Sequence, residues 1–584
     1  MRHKTAPDCH GPVRVLQGAC GMDDFASPLG AGIDNTQQPR AWRAPEAMVT
    51  PDPAELVAKE TAGRGGDASS IYGACSVETY RAAGALHAAH RDAGGFLDAV
   101  DRFAAPDFWR RDGAVKSWIY DRQPVEHAPG RDMDSVRVFY HAGHGRMDER
   151  GIFHLPMGAL WSGTDACLTS DRMRLGSGVL RYLFWSTSQS LRVGPGFSPP
   201  QSWAQANHGL RMLFGFDSIC WDSGRYGANF WHHWQMGKSF SQAWLDGAWD
   251  ISHDQSPVAC ACASDRETAL NMLFGERSFG VQRSKAQCWA WRWHQPAPLY
   301  QRDPALTQPP AEFSVIRLVP VSEDRALANS VLSRLGLNPV LVGADARGAI
   351  SVDKGPVRFR RQPDGRILLE LGPGAPGQAL QEMPPRRTLV SRAQSALRCH
   401  GFLPPGTELV FDRVSLAMSA TTSLHRLDEP PAESLDEIIV QFRQAIDGIP
   451  MLTSDAGSLR LAMRPDGTVL RIESTLRQVV ERMPARAHRH GLPDDPPPPL
   501  RPEGLPEPEP QAITRMLAQH SARLMRDLAA RGAAPLTLRI LPDTTEIGYG
   551  IRSNTARLVA RQGIEIECVR GFRKRYWIQS DLGD

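Results

Sequence analysis

The stretch Val136-Arg-Val-Phe-Tyr-His-Ala-Gly-His-Gly145 constrains this chain most, because an alternating, largely apolar run stops abruptly at two histidines and two glycines. Apolar residues fall on both sides of the two-residue period, Val136, Val138 and Tyr140 on one side and Phe139 on the other. That is the pattern of a strand in a parallel sheet covered by helices. Such a strand delivers His144 to the C-terminal edge of the sheet, where ligands bind in folds of this kind. Gly143 and Gly145 let the backbone turn tightly and approach a bound group with N–H donors exposed. The plainer alternative is a strand that ends in a glycine turn with a solvated histidine.

A second apolar run, Val179-Leu-Arg-Tyr-Leu-Phe-Trp185, stops at Ser186-Thr-Ser-Gln-Ser190. The segment between the two runs is long enough for a crossover, so the strands can lie parallel and place Ser188 beside His144. Further strands are expected at 211–216, 258–263 and 288–293, with helical spacing at 77–89, 95–103, 203–209, 226–237 and 240–249. Cys260 and Cys262 alternate with alanines as small core residues. Trp231, Trp234, Trp244 and Trp249 recur at helical spacings and are most simply core residues.

At 584 residues the chain is too long for a single core. The expected order is an irregular extension over 1–70, an α/β domain over 71–300, α+β helix-hairpin modules over 311–482, a proline-rich linker over 483–511 and a helix-plus-strands segment over 512–584. In the modules, helices are expected at 324–335 and 435–445, each followed by a hairpin turning at Pro-Asp-Gly, with Gly365 and Gly467 free to take positive φ. The closing Arg570-Gly-Phe-Arg-Lys-Arg-Tyr-Trp577 reads as a solvated edge strand.

Lysine and arginine number 67 against 64 acidic residues, a net charge of +3, so there is no electrostatic case for nucleic acid or an anionic membrane as partner. The basic start Met1-Arg-His-Lys has no apolar core of a secretion signal behind it. No run of about 18 apolar residues follows anywhere. The expectation is a cytoplasmic protein. Ten scattered cysteines suggest neither a zinc site nor a disulfide framework, and no cofactor is called for.

The region from about Tyr72 to Ala263 resembles a family of uncharacterised caspase-like domains, related in fold to the clan CD cysteine peptidases. The resemblance rests on the apolar strand ending in His144-Gly145 and on a later strand whose family motif, Ala/Thr-Cys-Gln-x-Leu, stands here as Thr187-Ser-Gln-Ser-Leu191. Ile71-Tyr72-Gly73, Gly95-Phe96, Trp118, Gly215-Phe216, Phe230 and Ala243-Trp244 agree as well. The match covers about a third of the chain. The unit around Phe442 to Pro450 is similar to propeptide-type modules of bacterial peptidases.

The resemblance implies a mostly parallel α/β sheet flanked by helices and a hydrolase of peptide or other acyl substrates. His144 would be general base and acid, Ser188 would stand at the nucleophile position, and backbone N–H groups near Gly145 would hold the oxyanion. His141 and Gln189 would contact substrate. The chain departs from the family at that nucleophile, where Ser188 replaces cysteine. A thiol is partly ionised near neutral pH, whereas a hydroxyl needs a well-aligned base. An engineered inactive form, a natural pseudoenzyme that binds a protein or peptide partner, and a serine-dependent hydrolase all fit the sequence. A metal-dependent hydrolase is a further alternative, since His141 and His144 have His-x-x-His spacing with Asp148, Glu149 and His154 nearby. The C-terminal half, 311–584, is expected to pack on the rim carrying His144 and Ser188 and to restrict it.

Overall fold

Five short strands set the frame: the partly exposed edge strand Phe108–Arg111 and the buried strands Tyr72–Ser76, Val138–Ala142, Tyr182–Ser186 and Met212–Phe216 lie side by side, all parallel. The computed structural model describes residues 71–80, 83–101, 105–121, 132–158, 167–297, 310, 312–345, 348–372, 383–486, 510–532, 535–541 and 544–582. The expected 1–70 extension and most of the proline-rich linker lie outside the described residues.

Parallel pairing follows from the sequence because both faces of the inner strands are mostly apolar. Phe184 stacks on Phe214 at 4.2 Å, and Phe96 of the helix Ala89–Asp101 stacks on Tyr140 at 4.5 Å. The helices Tyr226–Gln235 and Phe240–Trp249 add Phe230 and Trp244 to the same face. Burying each such ring contributes roughly 1.5–3 kcal/mol. The tryptophans read as core residues are buried.

The sheet does not stop where the α/β domain was expected to stop. Pro257–Ala263 and Cys288–Pro296 join it antiparallel, and Cys288–Pro296 then pairs along its whole length with Glu408–Ser423. The sheet runs on through Ala432–Ile446, Ser458–Met463, Val469–Ser474, Ile367–Glu370, Val357–Arg361 and Ile350–Lys354, so fifteen strands span both halves of the chain. The architecture is mixed α/β, parallel at one end and antiparallel at the other. A second, six-stranded sheet gathers Glu312–Leu318, Val479–Arg486 and the C-terminal strands around Thr555–Glu567.

Several expected elements differ. Residues 435–445 form a strand within Ala432–Ile446, not a helix. Leu435, Ile438, Ile439 and Phe442 fit a helical stripe, but the β-branched Ile438-Ile439-Val440 run is buried on both faces between two neighbouring strands. The helix of that module is Arg386–Cys399. Both Pro-Asp-Gly hairpins form, with Gly365 and Gly467 at φ +85° and +93°. The helix expected at 203–209 is instead Pro199–Trp203, started by proline at its first position after Ser198. Residues 77–80 and 83–88 form a loop rather than a helix.

The closing basic-aromatic run is the largest departure. Arg573–Asp581 is a strand paired along Thr555–Glu567, but Phe572, Lys574 and Tyr576 are buried rather than solvated.

Candidate active site

The two strand ends meet as the sequence predicts. Val138–Ala142 pairs directly with Tyr182–Ser186, and His144 and Ser188 lie two residues beyond them on the same rim. Both side chains are buried.

His144 is held in one tautomer. Its Nε2 lies 2.9 Å from the Gly84 carbonyl oxygen, which can only accept, so Nε2 carries the proton. Its Nδ1 is buried and has no hydrogen-bond partner. Burial, reinforced by the nearby Lys574 charge, pushes the imidazole down to about 3, so the ring is neutral and Nδ1 presents a lone pair. The Tyr80 hydroxyl accepts from His144 N–H at 2.9 Å, and its ring packs edge-on to the imidazole.

Gly84, which orients this histidine, has no room for a side chain, because a Cβ there would run into Cys568 Sγ. At Gly145 a Cβ would meet the Phe153 ring at 2.6 Å and Thr187 Cβ at 2.9 Å. The glycine after the histidine is therefore required by packing between strand ends; positive φ is not involved.

Ser188 Oγ accepts from Cys220 N–H at 3.2 Å and donates to the Arg573 carbonyl at 3.1 Å. Cys220 Sγ lies 3.5 Å from the same oxygen, and Lys574 Nζ donates to that sulfur at 3.0 Å. A serine has one proton to give, so with the Arg573 bond made, the thiol is left to donate to Ser188. The result is a directed chain from Lys574 through Cys220 and Ser188 to the Arg573 carbonyl. In this arrangement the Ser188 proton points at a peptide carbonyl and not at His144.

Cys220 and Lys574 were not singled out from the sequence. Cys220 lies in the loop beyond Met212–Phe216, the parallel strand next to Tyr182–Ser186, so the rim brings together three neighbouring strand ends. The pattern that exposed Ser188, an apolar run ending in hydroxyls, had a counterpart in Arg211 to Phe216 followed by Asp-Ser-Ile-Cys220.

The cover over the rim comes from the C-terminal strand. Phe572 faces His144 at 6.0 Å between ring centroids. Arg575 exchanges backbone bonds with the 220–222 loop, accepting from Asp222 N–H at 2.8 Å and donating to the Cys220 carbonyl at 3.3 Å. Trp577 stacks on Trp221 at 4.4 Å. The expected restriction of the rim is thus made by residues 572–577, while strands 350–474 extend the far edge of the sheet.

The other sequence candidates do not join this group. His141 points to the opposite face of its strand, where its Nδ1 meets the Tyr120 hydroxyl at 2.8 Å and its ring packs on Trp185. It is fully buried there. Gln189 sits beside Ser188 with φ +55°, its N–H donating to the Ser218 carbonyl. His154 pairs with Asp148 at 3.1 Å in the small sheet after the rim, and among the described residues no group of three metal-ligating side chains gathers around His141 and His144.

Among the described residues, one group could hold a metal by distance: His233, Asp246 and Glu473. Its centre is taken by the Lys238 ammonium, which donates to His233 Nδ1 at 2.9 Å, Asp246 at 2.7 Å and Glu473 at 2.5 Å. Arg366, Arg460, Arg471 and Arg292 complete a buried network with Asp250, Glu437 and Asp436. Five cations face five carboxylates there, joining the helices of the first half to the strands of the second. It is a charge-balanced seam.

A family model described as a domain of unknown function (DUF6345) matches residues 75–295, the segment holding the parallel strands, His144, Ser188 and Cys220. No curated protein matches the chain.

Proposed function

We propose that the chain is a caspase-like acyl hydrolase by lineage, acting on peptide or similar acyl substrates, and that its site is latent while the C-terminal strand covers it. The observation that carries this reading is the rim itself. A buried histidine, locked as the Nε2–H tautomer with an unclaimed Nδ1, stands at the end of the strand beside the one that ends in Ser188. A base needs its lone pair free and its ring fixed, and His144 has both. Ser188 stands in the nucleophile position, and the loop N–H groups around Cys220 would supply oxyanion donors.

A second reading, a non-catalytic protein that holds a peptide partner, is favoured by one observation: the cleft already contains an extended segment, 572–577. The two separate in a Ser188→Cys chain carrying Cys220→Ala, with the covering strand loosened by Phe572→Ala and Lys574→Ala, treated with a peptide chloromethyl ketone and mapped by mass spectrometry. The hydrolase reading expects alkylation at position 188 that is lost on adding His144→Ala. No alkylation at 188 in a folded protein, or alkylation indifferent to His144, leaves the binding reading.

A further inference from the structure

The rim holds a lysine side chain where no sequence pattern called for one. Lys574 is 3% exposed, although lysine is among the residues least often buried without a partner. Its ammonium donates to the Cys220 sulfur. The buried Asp92 and half-buried Asp222 carboxylates feel its charge, as do His141 and His144. Asp222 also carries the main-chain bond to Arg575, so one loop recognises both the backbone and the charge.

The segment around Lys574 has the geometry of a bound peptide. Phe572 meets the histidine, the Arg573 carbonyl meets Ser188, Lys574 enters the pocket, and Arg575 pairs with the loop as a short parallel bridge at Trp221. This is strand addition, in which main-chain bonds give affinity and a side-chain pocket gives selectivity.

We propose that the groove between Ser188 and Asp222 is a recognition site for an extended peptide that places a lysine at Cys220, and that residues 572–577 are its resident occupant. The proposal rests on the reading of this rim as a peptide site and names the class of peptide. A tethered occupant competes at an effective concentration of the order of millimolar or more, so a free peptide binds only after the resident segment is weakened.

The test uses the full chain with Phe572→Ala and Lys574→Ala, and a fluorescent synthetic peptide with the sequence of residues 571–577. The expected result is measurable binding that weakens about tenfold or more when the peptide's lysine is replaced by methionine, which keeps the length and removes the charge. Equal binding of the two peptides, or none in a folded protein, overturns the proposal. If the double variant does not fold, Lys574→Ala alone serves. n-Butylammonium, but not n-butanol, is expected to raise its melting temperature by filling the vacated pocket; equal effects, or no effect, count against a lysine site. Neither measurement needs catalysis. Failure here with histidine-dependent labelling at 188 would remove the lysine pocket and leave the hydrolase reading, and the converse outcome would do the reverse.

Discussion

Replacing Lys238 with methionine should be among the most destabilising single changes in the molecule, although it lies outside the candidate site. The side chain is fully buried and its ammonium satisfies His233, Asp246 and Glu473 at once. Methionine keeps the stem and removes the charge, leaving two buried carboxylates without their shared cation. Arg460 and Arg471 still reach Glu473, at 2.8 and 3.1 Å, so that carboxylate is partly compensated. Asp246 keeps hydrogen bonds from the Gln242 amide and His294 and the more distant charges of Arg471 and Arg460. Breaking a buried pair from one side costs about 3–5 kcal/mol, and the residual partners place this case near the lower end, about 3 kcal/mol. The assay is urea unfolding followed by tryptophan fluorescence, since Trp249 packs against His294 beside the seam. Adding Asp246→Asn should recover part of the loss, because it removes the orphaned charge. A loss under about 1 kcal/mol, or no recovery in the double variant, would refute the claim that the ammonium holds the seam together.

Three further outcomes follow from the same geometry. Burial pushes His141, His144 and His233 down to about 3 and His253 to about 4, against 6.5 for the free side chain. The unfolded chain therefore binds more protons below pH 6.5, and stability should fall as pH drops from 6.5 towards 4, by up to about 1.4 kcal/mol per pH unit for each histidine. Asp92, pushed up to about 6 by burial, opposes this with one proton, so unfolding free energies that stay flat between pH 6.5 and 5 would contradict the burial of the four rings. Gly84→Ala should cost about 1–3 kcal/mol by forcing the loop off Cys568, with partial rescue by Cys568→Ala in thermal melts. Nitrogen NMR of labelled imidazoles should show His144 protonated at Nε2 near neutral pH; a proton on Nδ1 would remove the lone pair that the site depends on.

Much of the rim was legible in the sequence because it depends on local pattern. Apolar runs that stop at His144-Gly145 and at Ser186 to Ser190 specify buried strands with polar ends, and period-2 burial on both faces specifies parallel neighbours. What closes the rim was not legible. Lys574 looks solvated in a run rich in arginine, but a loop more than three hundred residues away supplies the sulfur that its ammonium meets and the backbone groups that pair with Arg575. The 432–446 strand was misread because Leu435, Ile438, Ile439 and Phe442 satisfy a helical stripe as well as a two-sided strand, and its partners come from either side of the chain. His141 illustrates the same limit. Its spacing from His144 suggested a shared site, but strand alternation turns it to the opposite face.

The central claim is that residues 572–577 close a histidine-bearing rim, and the rate at which a thiol at position 188 reacts tests it most directly. In the Ser188→Cys, Cys220→Ala chain, iodoacetamide labelling at 188 should be slow and should accelerate about tenfold or more when Phe572→Ala and Lys574→Ala are added. That corresponds to about 1.4 kcal/mol of lost closure. The faster reaction should fall again with His144→Ala. Labelling at 188 that is rapid in the parent chain, or unchanged by loosening the strand, would contradict the account.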